Sequence, residues 1–308
     1  MKRYAFLLLS FILTGLTKTS SAQYYFYNSD YYDNPVVFEV GGSLNAFNSF
    51  TDIGGKKGIG GKFTKDLIMG TTKMGGGVYF SALYKNAIAL RLEGAFGKLE
   101  ANDNVLAGVT DIAKERFNRN LNFRTSITEV SLITEWHPLF LFITWESKDV
   151  EPPRYSPYIL AGVGFFSFNP QGQLGNRWVD LQPLRTEGQG FSEYPDRKVY
   201  KLQQMSIPLG IGIKYELSPL LNVRGEFVYR KLFTDYLDDV STSYIDPALF
   251  QNYLSGSTLR DALAMNDRQL VNKNGPQGGA KRGSPSQKDA FFSFNLKLGL
   301  LIGREKIR

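Results

Sequence analysis

The chain has 308 residues, with 36 Lys and Arg against 29 Asp and Glu, a single His and no Cys. A net charge of +7 is too mild for a nucleic-acid binder, and the absence of cysteine excludes disulfide scaffolds and thiolate metal centres. One histidine leaves little room for histidine-dependent chemistry, so no cofactor, no metal and no nucleic-acid partner are expected, and the protein is read as not an enzyme.

The first residues, "MKRYAFLLLSFILTGLTKTSSAQ", have a Lys2/Arg3 head, an apolar run from Tyr4 to Leu16 and small residues at Ser20 and Ala22. This is the pattern of a cleaved secretory signal, which assigns residues 1–22 to a signal peptide and 23–308 to one exported domain. Losing Lys2, Arg3 and Lys18 leaves 33 basic against 29 acidic residues, or +4. Mean hydropathy of −0.22 is uninformative, because an alternating chain averages out.

Eight alternating runs follow in chain order, over 36–47, 73–84, 86–98, 121–136, 156–168, 201–217, 221–233 and 290–303. In the sixth, Met205, Ile207, Leu209, Ile211, Ile213, Tyr215 and Leu217 share one face, while Gln204, Ser206, Gly210, Gly212, Lys214 and Glu216 share the other. The period is two, so these are strands. Alternation alone does not say whether the apolar face meets a core or lipid.

The connections decide between the two. They run long (48–72), short (Lys85-Asn86), long (99–120), medium (137–155), long (170–200), very short (218–220) and very long (234–289). With the N-terminus in the periplasm, every longest loop falls outside, the asymmetry of outer-membrane barrels. Tyr84, Trp136, Tyr158 and Tyr215 fall at the periplasmic ends and form one aromatic girdle; Phe96, Phe168, Phe292 and Phe294 form the other. The expected fold is therefore all-β: an eight-stranded antiparallel up-and-down transmembrane β-barrel with long extracellular loops, in the outer membrane with lipid as its first partner. Pro208 removes a ladder donor from the sixth strand, where a bulge or the membrane rim is expected.

The inward face then receives Glu39, Arg91, Glu93, Glu129, Glu135, Lys214, Arg224, Glu226, Arg230 and Lys297, five acidic and five basic side chains. An eight-stranded barrel is barely wide enough for its own side chains, so this charge network is expected to pair and plug the lumen; a narrow channel is the alternative. His137 precedes Pro138 at a periplasmic turn, where a turn or girdle role is expected.

Among the loops, "GGKKGIGGKF" (54–63) has the glycines of a phosphate loop with the wrong spacing, and Phe63 stands where Ser or Thr is needed. "FTDYLDDVSTSYIDP" carries Asp235, Asp238 and Asp239, read as a loop held by Asp-to-backbone hydrogen bonds, with calcium as the alternative. Asp238 and Asp239 are expected to meet Arg185 and Glu187 and cap the mouth. One or two short helices are expected within 246–270, starting at Asp246-Pro247 and at Ser257, with a mobile portion over 269–289.

"TDIGGKKGIGGKF" (51–63), "LQPLRTEGQGF" (181–191), "TDYLDDVSTSYIDP" (234–247) and "RGSPSQKDAFF" (282–292) resemble a Bacteroidota-type outer-membrane β-barrel family that includes PorG-type components of the type IX secretion system. "SPYILAGVGFF" (156–166), "IPLGIGIKYELSPLLN" (207–222) and "RKLFTDYLDD" (230–239) are the elements similar to the PorG proteins themselves. The resemblance implies a non-enzymatic barrel with a partner-binding or scaffolding role in envelope biogenesis or type IX protein secretion, associated with periplasmic or outer-membrane secretion-system proteins. The long outer loops leave a second reading open, a surface barrel for adhesion, ligand binding or envelope stabilisation.

Overall fold

The structure, a computed structural model, describes residues 31–55, 69–110, 113–143, 153–271, 279–286 and 288–306. The signal segment 1–22 and all but Gly54 and Gly55 of the glycine-rich stretch 54–63 lie outside the described residues.

Eight long strands carry the fold: β1 (Tyr31–Phe50), β2 (Lys73–Tyr84), β3 (Ile88–Asn102), β4 (Asn122–Trp136), β5 (Tyr155–Ser167), β8 (Gln203–Glu216), β9 (Leu221–Leu232) and β10 (Ala290–Lys306). Each pairs antiparallel with both neighbours in the order β3-β2-β1-β10-β9-β8-β5-β4, and pairing of β3 with β4 closes the cylinder. Closure satisfies every edge, which strands crossing hydrocarbon require. A short hairpin, β6 (Gln171–Leu174) and β7 (Arg177–Asp180), extends β4 through the Arg124–Gln171 pair; its residues do not alternate, so no sequence pattern reveals it.

Turn chemistry sets the short-connection end. Lys85 and Asn86 both take positive φ, 48° and 56°, and the Ala87 N–H donates to the Tyr84 carbonyl at 3.0 Å, the two-residue turn whose twist suits a hairpin. A short helix, α2 (Pro138–Leu141), follows β4 at the same end. At the long-loop end lie α1 (Lys114–Arg119), α3 (Phe250–Tyr253) and α4 (Gly256–Asn266). Asp246 caps a 3-10 turn over Pro247–Leu249 as expected, whereas the second helix starts at Gly256 with Ser255 as its N-cap, ahead of Ser257.

The barrel is inverted relative to a soluble protein. Val78, Leu92, Phe96, Val130, Val163, Ile211, Leu296 and Leu298 are all more than half exposed on the outer wall. A continuous apolar surface of this kind would aggregate in water, so it is the surface that meets lipid. From Met205 to Tyr215 the belt rises ten residues along β8, which at about 3.3 Å per residue and about 40° of tilt gives a height of about 25 Å, matching the hydrocarbon layer.

Two expectations are corrected, and at Pro208 one of the two alternatives is removed. Pro208 makes no bulge: β8 stays in unbroken register with β9 from Ser206–Leu232 to Glu216–Asn222. The ladder to β5 instead lapses between Ala161–Leu209 and Gly164–Ser206 and resumes in the same register, so the missing donor costs local pairing but no slip. Tyr158 leaves the girdle, because β5 turns Tyr155, Pro157 and Ile159 outward and Tyr158 into the lumen at 2 % exposure. Both faces of this strand are apolar, so period two could not choose its parity. Phe168 likewise points inward, into the core under the loops. Tyr84, Trp136 and Tyr215 keep outward positions, and Tyr155, paired with Tyr215, stands in the place assigned to Tyr158. At the other end Phe294 and Phe96 are exposed, and Phe292 is covered by the rings of Phe50, Phe227 and Phe294.

Candidate functional site: a sealed lumen and a folded cap

All ten charged residues assigned to the lumen are buried there. Because β3, β4, β9 and β10 run antiparallel with inward positions in register, their acids and bases are brought to matching heights. Arg91 Nη1 lies 2.5 Å from Glu135 and 2.6 Å from Glu226, and Arg91 Nε lies 3.0 Å from Glu93. Lys297 Nζ joins Glu93 at 2.5 Å and Glu226 at 3.1 Å. Arg224 binds Glu135 at 2.8 Å and also holds Glu39. A separate pair, Arg230 Nε to Glu129 at 2.6 Å, lies toward the loops, and Ser206 donates to the same carboxylate at 2.7 Å.

Residues outside the expected set complete this network. Tyr79 Oη donates to Glu39 and Tyr158 Oη to Glu226, each at 2.5 Å. Lys214 pairs with Glu216 at 2.9 Å, and Arg304 with Glu216 at 3.0 Å, near the short-turn end. Glu216 was visible on the polar face of its run. Tyr79 carried no signal, since a tyrosine on a strand suits either face, and Arg304 lies beyond the last expected run.

His137 also turns inward, beyond its expected turn or girdle role. Its Nδ1 is 2.8 Å from Ser156 Oγ and its Nε2 is 3.2 Å from Glu135, the connectivity of a Ser-His-Glu hydrolase triad. The surroundings do not suit that chemistry. Ser156 is 7 % exposed, Glu135 is already held by Arg91 and Arg224, and the adjoining cavity, about 10 Å³, has room for one water and not for an acyl substrate. The larger hollow, about 470 Å³, lies on the lipid face where Gly225 leaves a gap between Ile211, Ile213 and Phe227.

Above the charges the lumen is closed by aromatics. Phe47, Phe166 and Phe291 pack across the bore, with ring centroids 6.4 Å apart for Phe47 and Phe291 and 5.8 Å for Phe166 and Phe291. The Arg230 guanidinium lies over both Phe47 and Phe291. The same core continues into the loops through Ile53, Leu121, Phe168, Tyr200, Leu237 and Val240, so barrel and loops share one apolar contact.

On it sits a cap with a second core of Val179, Leu181, Leu184, Phe191, Ile245, Phe250, Ala262 and Met265. Phe191 stacks on Tyr253 at 4.0 Å. Of the expected loop residues, Glu187 and Asp239 share Arg282, while Asp238 and Asp235 bond other groups. Glu187, Asp235, Asp238 and Asp239 are buried, and Glu187 accepts from the Ser241 N–H at 3.0 Å, the Thr242 N–H at 2.9 Å and Arg282 Nη1 at 2.9 Å. Asp239 accepts from Thr186 at 2.6 Å and Tyr200 at 2.7 Å, while burial pushes its carboxyl up to about 6. Arg185 instead sits half-buried on a left-handed turn with φ 51°, and among the described residues the cation at the cluster is Arg282. Arg282 comes from the stretch read as mobile; Arg119 binds it there by donating to its carbonyl at 2.8 Å. The three aspartates of the 235–239 stretch bond separate protein groups, and among the described residues no three His, Asp or Glu side chains converge on a metal-sized point.

No family model matches the chain, and no curated protein matches it. Among solved structures it is similar to a major outer membrane protein of Thermus thermophilus, with TM-score 0.37, 15% identity, and coverage of 87% of this chain and 100% of that one. It is also similar to Ail, the attachment invasion locus protein of Yersinia pestis, solved with the heparin analogue sucrose octasulfate (TM-score 0.35, 9% identity, 87% and 97% covered). A third likeness is to the outer membrane protein OprG of Pseudomonas aeruginosa (TM-score 0.34, 10% identity, 88% and 97% covered).

Proposed function

We propose that this chain is a non-enzymatic outer-membrane barrel that acts as a partner-binding scaffold in envelope biogenesis or type IX secretion, in the manner of the PorG-like proteins its strands and loops resemble. The observation that carries this reading is the seal: the bore is filled by the Arg91–Glu135–Arg224 ion pairs, then by Phe47, Phe166 and Phe291, and then covered by the cap. Among the described residues the bore is filled from the charges up to the cap, which supports a role carried by the rims and loops.

The test is capture of the tagged protein from outer membranes after mild crosslinking, together with deletion of its gene. Recovery of periplasmic or outer-membrane secretion-system proteins, with loss of secreted cargo on deletion, supports the scaffold. Intact secretion in the deletion strain sinks it.

A second reading, a surface barrel for adhesion or ligand binding, is favoured by the cap having a core of its own, which loops serving only as covers do not need. Leu263, Leu270 and Val271 are exposed on it. Polar replacements at these three positions that abolish surface binding while secretion continues would select this reading.

A further inference from the structure

The hollow on the lipid face, about 470 Å³, is bounded by strands β5, β8 and β9 and by the start of α2. Ile211 and Ile213 on β8 and Phe227 on β9 wall it, while Pro157 on β5 and Pro138 on α2 close one side. Gly225, paired with Ile213, faces outward, and a Cβ built there would meet no atom within 4 Å. The gap is one missing side chain in an otherwise continuous apolar wall.

Its height follows from the register. Tyr155 pairs with Tyr215 at the girdle, the Pro157–Ile213 pair lies two residues further in, and the Ile159–Ile211 pair four. At about 3.3 Å per residue and about 40° of tilt, these rows stand about 5 and 10 Å from the girdle. One leaflet of hydrocarbon is about 15 Å deep, so the hollow lies within the leaflet at the short-turn end, the periplasmic one.

The edge of the hollow is held in place from inside the barrel. The His137 N–H donates to the Ala87 carbonyl at 2.8 Å, and its ring lies 2.8 Å from Ser156 Oγ and 3.2 Å from Glu135. This anchor sets the rigid ring of Pro138, the next residue, against the hollow. Leu141 and Phe142, 42 % and 81 % exposed, extend the apolar surface beyond it.

The shape narrows what can fill the site. The eight long strands close on one another, so a partner's strand finds no edge to pair with on this wall. A partner's helix, about 10–12 Å across, is too wide to enter a gap left by one side chain. A flexible acyl chain is narrow enough. At about 30 Å³ per methylene, roughly the volume of a liquid water, 470 Å³ takes about sixteen of them, one ordinary membrane chain. On a flat wall a chain touches protein on one side only, whereas in the hollow it gains contacts on both flanks and spares the wall a void.

We propose that this hollow is a binding site for one acyl chain of a phospholipid in the periplasmic leaflet, seated between β8 and β9 with its head group at the level of Tyr155 and Tyr215. The site goes beyond the scaffold reading: it depends on the outer wall facing lipid and not on which partner the barrel binds.

The test is native mass spectrometry of the full mature barrel in detergent micelles, titrated with dipalmitoyl phosphatidylethanolamine. The wild-type protein is expected to keep one lipid molecule after the others are stripped. Gly225→Phe fills the hollow and should lower that retained fraction about tenfold, since each lost contact is small but many are lost together. Gly94→Phe is the control: Gly94 also faces outward with no atom within 4 Å of a built Cβ, but on β3, and it should keep the lipid as the wild type does. Equal retention in wild type and Gly225→Phe overturns the site, as does equal loss in both variants. Retention of lipopolysaccharide in place of the phospholipid overturns the leaflet assignment, and lipid-free dimers abolished by Gly225→Phe would give the hollow to a second copy of the chain instead. Should Gly225→Phe fail to give a compact band on unboiled gels, Gly225→Val must reduce retention, and an unchanged fraction overturns the proposal equally.

Discussion

Arg224 on β9 and Glu135 on β4 meet across the bore of the barrel, with Nη1 2.8 Å from one carboxylate oxygen and 3.0 Å from the other. Arg91 leans on the same carboxylate, so one Glu offsets parts of two fully buried guanidinium groups. Removing one partner from a buried pair leaves an uncompensated charge, which costs about 3–5 kcal/mol. Glu135→Ala should lower the unfolding free energy by that amount, read as a lower temperature for the compact-to-extended shift on unboiled gels. A change below about 1 kcal/mol would mean that water reaches these guanidinium groups, and the seal would be wrong.

Leu132 tests the lipid face. It is 46 % exposed on β4, paired with Leu92 on one side and Val163 on the other, in the middle of the apolar belt. An Arg near the bilayer midplane costs about 2–4 kcal/mol in a barrel of this kind. Leu132→Arg should therefore destabilise the protein in lipid vesicles, whereas in water an exposed Leu→Arg change lies within about 0.5 kcal/mol. A neutral result in vesicles would place the belt outside the hydrocarbon.

The aromatic floor depends on an absent side chain. A Cβ at Gly97 would fall 2.4 Å from the Phe47 ring, far inside contact distance. Phe47 is pinned from above by the Arg230 guanidinium and from the side by Phe291, so it has nowhere to turn. Gly97→Ala is expected to cost about 1–3 kcal/mol, the usual penalty of overpacking. Phe47→Leu in the same background should recover part of it, because the smaller side chain vacates the clash; a double variant no better than Gly97→Ala would rule out this contact as the cause.

Strand positions and the charged lumen were legible because alternation forces each side chain to one of two faces, and Lys, Arg and Glu cannot face hydrocarbon. Where both faces are apolar that constraint disappears, and Tyr158 was assigned to the wrong side for this reason. The cap was legible only in part. Asp238 and Asp239 stood out as a loop motif, but their partners come from residues far along the chain, Ile53, Thr186 and Tyr200, which no local pattern connects to them. Arg282 was hidden by its composition, since a stretch rich in Gly, Asn and Lys reads as loose until Arg119 and Glu187 are seen to hold it.

The choice between Arg185 and Arg282 can be put to a direct test. Arg185 lies three residues after Gln182 on a turn and adds no bond to Glu187, Asp238 or Asp239, while Arg282 donates to Glu187 and, at 2.7 Å, to the Asp239 carbonyl. Arg282→Glu would set a like charge against two buried acids and remove both bonds, so the cap should open and its loops be cut by protease at least tenfold faster, with the strands still resistant. Arg185→Glu changes a half-exposed side chain and should leave cleavage within twofold of wild type. Measured at one pH in the same detergent, a rate increase confined to Arg185→Glu would reverse the assignment and make the left-handed turn at 185 the fastening of the cap. If both substitutions are silent, the cap is held by its apolar core alone, and Phe250→Ala becomes the change that releases it.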